Sequence, residues 1–368
     1  MKKLLAVLLT ITMVFTLIAC GNNNSGNEAT SSTEGFELAL ITDLGTIDDG
    51  GFNQGSWEGL EKYAKENNIS HKYYQPADQG DDAYLNAIDL AVQSGAKVIV
   101  CPGYLFETPL FVAQDRYPDT KFVLVDGTPN DGDWSSGMPA SKIGDNLVAV
   151  HFAEEQAGFL AGYAAVSDGY RNLGFMGGMA VPAVIRFGHG FIQGAEAAAQ
   201  DLGLAAGTVK INYHYTGTFA PAPEIQTMAA AWYNDGIEAI FVCGGGIVYS
   251  VVPAAEQAGT KIIGVDLDQA DISETVITSA MKGLSVSVYD SLADYYAGKF
   301  PGGKEYMFSA ANNGIGLPMA SSRFNSFTQS DYDAVFGKLA NGSTKVDNNI
   351  GIGPNDILTS AVSVNNLE

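Results

Sequence analysis

The feature that most restricts the fold of this 368-residue chain is an alternation, run twice, of short β-branched stretches with longer amphipathic ones. Strands are predicted at 38–42, 71–75, 97–101 and 122–126, with helices at 57–67, 82–94 and 109–117 between them. After a strand at 147–151 and a helix at 154–166 the pattern restarts, with strands at 173–176, 209–213, 239–243 and 261–265 and helices at 184–202, 225–235 and 248–258. Alternation of this kind specifies an α/β protein of parallel sheets covered by helices. Two such runs in one chain predict two Rossmann-like, doubly wound lobes that face each other across a ligand cleft and close about a hinge. We expect an N-terminal lobe over 36–150 with a returning segment at about 280–318. The C-terminal lobe is expected over 151–279 with a returning segment at about 319–368.

The N-terminus assigns the compartment. Lys2 and Lys3 precede an apolar run from residue 4 to 19, shorter than the roughly 20 residues of a spanning helix. The run stops at Leu17-Ile18-Ala19-Cys20-Gly21, which reads as a lipoprotein cleavage box, so residues 1–19 are expected to be a signal peptide. Lipid on Cys20 would then anchor the chain to the extracytoplasmic face of the cell membrane. Residues 20–35, rich in Gly, Asn, Ser and Thr, read as a flexible tether. A formal net charge of −22 argues against nucleic acid, because phosphate binding needs clustered Lys and Arg. Cys101 and Cys243 each close an apolar run; a disulfide is possible in an oxidising compartment, but packed free thiols are the expectation.

In open α/β sheets ligands bind beyond the carboxyl ends of the strands. Polar residues and glycines collect there: Thr42-Asp43 with Asp48-Asp49-Gly50-Gly51-Phe52-Asn53-Gln54, then Asp126-Gly127, Cys243-Gly244-Gly245-Gly246, and Asp266-Leu267-Asp268-Gln269. Singly, each could be a tight turn or a helix cap. Their shared placement makes them site candidates. Phe52 and Phe187 read as exposed-position aromatics that either pack in the core or stack on a planar ring. The glycine runs lack both the P-loop Lys-Ser/Thr and the GxGxxG spacing. Neither H-E-x-x-H nor G-x-S-x-G occurs, and the four histidines are scattered. Binding is therefore favoured over catalysis, with no catalytic residue, metal or cofactor expected.

Several segments together resemble the basic membrane protein family, purine-nucleoside-binding lipoproteins of ABC transporters. They are residues 40–43 and 47–59, Glu155-Gln156-Ala157-Gly158-Phe159-Leu160-Ala161-Gly162-Tyr163, residues 174–182 with Phe187, residues 262–269, and Thr278-Ser279-Ala280-Met281-Lys282. The resemblance implies a type I periplasmic-binding-protein fold, with three chain crossings between the lobes. It further implies that Phe52 and Phe187 sandwich a purine, that Asn53 and Asp126 address its polar edge, and that Asp266 and Lys282 hold the ribose beside Gly244. Asp43 is a further candidate contact. Many relatives carry a basic residue and a Ser where this chain has Gly50 and Gly51, which predicts a more flexible loop here.

The resulting expectation is a monomeric lipoprotein that captures purine nucleosides (guanosine, inosine, adenosine) and passes them to an ABC transporter permease. The competing readings are a receptor for a sugar or other small ring ligand, a nucleoside-cleaving enzyme, and a surface adhesin.

Overall fold

Strand β1 (Leu38–Ile41) has all four side chains buried, as do the five of β3 (Val98–Pro102) and the five of β8 (Ala239–Cys243). Burial on both faces is what a central parallel strand covered by helices requires. In the computed structural model, which describes residues 35–368, these strands lie in the middle of two separate sheets. The signal segment 1–19, Cys20 and the tether up to residue 34 lie outside the described residues.

The first sheet also contains β2 (His71–Tyr74), β4 (Lys121–Val125), β5 (Leu147–Phe152) and β11 (Lys304–Phe308). Its order is β11-β5-β4-β3-β1-β2, parallel throughout. The second is built on β6 (Asn172–Gly177), β7 (Val209–Tyr215), β9 (Lys261–Asp266), β10 (Val276–Lys282), β12 (Ile315–Gly316) and β13 (Val362–Asn366). Its order is β12-β10-β9-β8-β6-β7-β13, with only the short β12 antiparallel. The central order is the same in both, 2-1-3-4-5 and 7-6-8-9-10, so each sheet reverses direction at one point and opens a crevice there. The expected two-lobed α/β architecture is observed.

The helices α1 (Phe52–Asn67), α2 (Asp81–Gln93) and α3 (Glu107–Arg116) follow β1, β2 and β3. In the second lobe α5 (Pro182–Asp201), α6 (Pro223–Asn234) and α7 (Val248–Ala258) follow β6, β7 and β8. The chain passes from the first lobe to the second at Ala153, between β5 and α4 (Glu154–Ser167), and returns at Gly283, between β10 and α8 (Leu284–Tyr296), which packs on α1. It crosses again over 309–314, between β11 and β12, before α9 (Gln329–Ala340) and β13. Among the described residues no helix is long and apolar enough to cross a membrane.

Two local features differ from expectation. Helix α1 begins at Phe52, five residues before the predicted start, because Asp49 reaches forward to cap it: its carboxylate accepts from the N–H groups of Gly51 (2.9 Å), Asn53 (3.1 Å) and Gln54 (3.1 Å). The Gly50–Gly51 turn is also pinned by hydrogen bonds, contrary to the flexible loop predicted. The Gly50 N–H donates to Gln54 Oε1, and its carbonyl accepts from the buried Gln269 amide at 2.8 Å. Gly50 has φ +70°, and a Cβ there would lie 2.6 Å from the Tyr249 hydroxyl of the other lobe, so a side chain is excluded twice over.

Helices α4 and α5 approach unusually closely. A Cβ at Gly158 would collide with the Phe187 carbonyl oxygen, and one at Gly190 with that of Glu155. Glycines that let two helical backbones touch fix the first turn of α4, with Glu154, against the first turns of α5, with Arg186 and Phe187. Cys101 and Cys243 are free and buried.

Candidate functional site

All eight residues predicted for a site, Asp43, Phe52, Asn53, Asp126, Phe187, Gly244, Asp266 and Lys282, line a single cleft between the lobes, with a volume of about 1030 Å³. The first lobe contributes the segments that follow β1, β3 and β4, with Asp81 after β2 and His151 of β5. The second contributes those that follow β6, β7 and β8, with the last residues of β9 and β10.

At the inner end of the cleft, next to the Ala153 and Gly283 crossings, five charged side chains meet. Lys282, the last residue of β10, pairs directly with Asp126 Oδ2 and lies 3.4 Å from Glu154 Oε1 and 3.8 Å from Asp266 Oδ1. Arg186 Nε pairs with the other Glu154 oxygen at 2.5 Å. Three carboxylates thus face two cations, all largely withdrawn from water. Burial disfavours the ammonium of Lys282, but Asp126, Glu154 and Asp266 together outweigh this and raise its pKa. Burial also opposes ionisation of Glu154, yet the charges of Lys282 and Arg186 hold its carboxyl below the usual value. For Asp126, burial wins over the Lys282 charge and the carboxyl is raised. Asp266, further from Lys282, is pushed up to about 7 by burial.

Asp126 and Asp266 terminate β4 and β9 in the left-handed backbone region, at φ +59° and +67°. Asp tolerates this region better than most residues, and here it turns the carboxylate at each strand end into the cleft. Asp126 Oδ2 accepts a hydrogen bond from the Lys282 ammonium, whereas Oδ1 is buried and accepts none. A buried acceptor left open in this way is costly unless a ligand donor fills it.

Aromatic rings enclose the same point. Lys282 Nζ lies 5.0 Å from the centroid of Phe52 on the first lobe, 5.2 Å from Phe187 on the second and 5.6 Å from Phe152 at the crossing. Phe187 is not the exposed aromatic that its glycine-rich surroundings suggested. It is 2 % exposed and packs edge-on against Phe241 at 6.0 Å, because the close α4–α5 contact draws its helix into the core.

Asn53 and Asp43 are occupied with each other. The Asn53 amide donates to Asp43 Oδ1 and to Asp49 Oδ2, both at 2.9 Å, and its oxygen accepts from the Asp43 N–H at 3.3 Å. Both amide hydrogens are therefore committed to the loop that carries Phe52. Burial raises the pKa of Asp43.

Sequence reasoning did not single out Glu154 or Arg186, although both sit in or beside recognised segments. An acidic residue in the first turn of a helix is what any helix N-terminus favours, so Glu154 carries no distinguishing local signal. It also passed over the 129–142 segment after β4. This forms a short hairpin with Trp134 and Met138 at its tip, 64 % and 80 % exposed at the mouth of the cleft.

Comparison with known proteins agrees with this architecture. The chain is 28% identical over 365 residues to the ABC transporter nucleoside-binding protein BmpA of Lactococcus lactis, covering 92% of this chain and 98% of that protein. It is 26% identical over 327 residues to an uncharacterised lipoprotein of Pyrococcus abyssi, covering 86% and 77% of the two chains. Among solved structures, an ABC transporter solute-binding protein from Aeropyrum pernix superimposes with a TM-score of 0.68 at 23% identity, over 88% of this chain and 84% of that one, a likeness of fold. The family described as ABC transporter substrate-binding protein PnrA-like (Bmp) matches residues 36–349, so the two lobes and the cleft between them are those of a solute receptor that works with a membrane permease. The chain belongs to this PnrA-like family of ABC transporter substrate-binding proteins.

Proposed function

We propose that the chain captures purine nucleosides and hands them to an ABC permease, making and breaking no covalent bond. The observation that carries this reading is the buried, unpartnered Oδ1 of Asp126, flanked through Lys282 by one phenylalanine from each lobe. A planar ring offers its faces to Phe52 and Phe187, and a ring N–H at its edge satisfies Asp126. Guanine and hypoxanthine carry such a donor at N1, whereas adenine has an acceptor there. Guanosine and inosine are therefore expected to bind ahead of adenosine. The ribose hydroxyls would donate to Asp266 and accept from Lys282, with the Gly244 backbone alongside.

The polar lining also opposes nucleotides. Asp43, Asp48, Asp49, Glu107, Asp126 and Asp266 face the cleft, against Arg186 and Lys282, which are already paired with carboxylates. A phosphate would meet repulsion and find no free cation. The nucleoside-binding name of the Lactococcus lactis relative points the same way. Anchoring through lipid on Cys20 is proposed from the sequence and from the lipoprotein name of the Pyrococcus abyssi relative.

Calorimetric titration of ligand-stripped protein with guanosine, inosine, adenosine, uridine and ribose tests the reading. Saturable binding of the purine nucleosides, with the two 6-oxopurines tightest, is expected. Equal binding of uridine or ribose would overturn it, as would release of free base on incubation with inosine.

A further inference from the structure

The cleft is larger than the ligand proposed for it. Its volume is about 1030 Å³, whereas a nucleoside of about twenty non-hydrogen atoms, packed at the density of roughly 0.75 found in protein interiors, fills about 300 Å³. Its walls also change character along its length. The ion-paired cluster sits at the chain crossings, whereas elsewhere the lining combines the loop carboxylates of Asp48, Asp49 and Asp81 with an apolar stretch in which Trp134 and Met138 from the first lobe face the same space as Val181, Pro182, Phe219 and Pro221 from the second.

The rim on the first lobe is a preformed element. An antiparallel bridge joins Asn130 to Ser141, the Asp131 N–H donates to the Ala140 carbonyl at 3.0 Å, and the Lys142 N–H donates to that of Pro129 at 3.2 Å. Asp131 Oδ1 accepts from the N–H groups of Asp133 and Ala140, and Asp133 accepts from that of Ser135 at 2.9 Å. Glu107 ties the base of the hairpin to α3 by accepting from the Asn130 amide and the Thr128 N–H, both at 2.9 Å. A hairpin held this firmly has already lost its conformational entropy, yet it presents a tryptophan and a methionine to water. Rigid, exposed, large apolar side chains facing an apolar wall across a cavity continuous with the binding end are the composition of a ligand subsite.

We infer that the outer half of the cleft is a second compartment, which takes an apolar, preferentially aromatic, group carried by the bound nucleoside. The inference rests on the nucleoside reading of the inner end and extends it: the ligand class becomes purine nucleosides with an apolar substituent on the end that faces the mouth. Phe219 and Pro221 pack beside the Gly244–Gly246 turn. A substituent that leaves the inner end therefore meets them directly.

The test compares parent and substituted ligands on the purified protein by calorimetry: inosine against 5′-benzylthio-5′-deoxyinosine, and guanosine against 8-benzylthioguanosine, whose C8 lies across the ring from the N1 edge held by Asp126. Burying a group of this size should tighten at least one benzyl derivative over its parent by about 10- to 100-fold. In the Trp134→Ala/Met138→Ala double variant that gain, measured against the parent in the same variant, should fall to about threefold or less, while Trp134→Phe should retain it. The inference is overturned if both parents bind and neither benzyl derivative binds more tightly, or if the gain survives in the double variant. Should inosine and guanosine themselves fail to bind, the nucleoside reading falls first and this inference with it.

Discussion

The two ends of the cleft solve opposite problems. At the crossings, three carboxylates and two cations are largely withdrawn from water and each lies within reach of an opposite charge, so the inner end is held together by ion pairing. At the mouth, Trp134 and Met138 are exposed on a hairpin whose stability comes from its own backbone and Asx-type hydrogen bonds. Loss of Lys282 from the inner end would leave buried Asp126 and Asp266 with no cation beside them. The mouth can, since its apolar side chains support nothing beneath them. On the proposed reading, selectivity for polar edges and tolerance of apolar bulk fall on structurally independent parts of one cavity.

The largest test of this contrast is Lys282→Met. It removes the cation that faces Asp126, Glu154 and Asp266 and should destabilise the protein by about 3–5 kcal/mol, read from urea denaturation. A variant as stable as the parent would show that the inner end does not depend on ion pairing. Asp126→Asn is the next in size. It keeps the backbone but weakens the acceptor offered to a ring N–H, and guanosine affinity should fall by about 1.5–3 kcal/mol in calorimetry, while adenosine loses less.

Asp266 makes the contrast depend on pH. Its folded-state pKa of about 7 lies above the unfolded value of roughly 3.9, so the folded protein holds this proton more tightly. The linked stability is fully present below the unfolded value and is lost as pH rises through 7. In the proposed binding mode the ribose needs the carboxylate, and the effect runs the other way: inosine affinity should drop by up to about tenfold per pH unit below 7. Asp266→Asn should flatten both profiles, and a pH-independent affinity in the parent would remove Asp266 from the site. The smallest effect is expected at the mouth, where Trp134→Ala should change stability by no more than about 0.5 kcal/mol in thermal denaturation. A larger loss would mean that the hairpin packs on the lobes more than its exposure indicates.

Much of this was legible in the sequence because strand ends are marked locally. Asp43, Asp126, Gly244 and Asp266 each follow a β-branched run, and the rule that ligands lie beyond strand ends was enough to gather them. What was not legible depends on distance along the chain. The Lys282–Asp126 pair joins residues 156 positions apart, and nothing in the period of either strand announces it. The family resemblance implies a base-edge role for Asn53, and that its amide donates to Asp43 and Asp49 is visible only in three dimensions. The start of α1 was misplaced for a related reason: the capping carboxylate of Asp49 lies two residues before the N-cap, behind a pair of glycines that reads as a loop.

The left-handed backbone at Asp126 and Asp266 has a consequence for how such a receptor can change. Few residue types besides Gly, Asn and Asp occupy that conformation easily. Asparagine, like alanine and valine, is one base change from aspartate in the genetic code, but unlike them it suits this backbone and keeps a polar side chain facing the cleft. Drift to asparagine at these two codons therefore keeps the main chain while it changes both recognition and the charge facing Lys282, whereas a step to alanine loses the backbone preference as well.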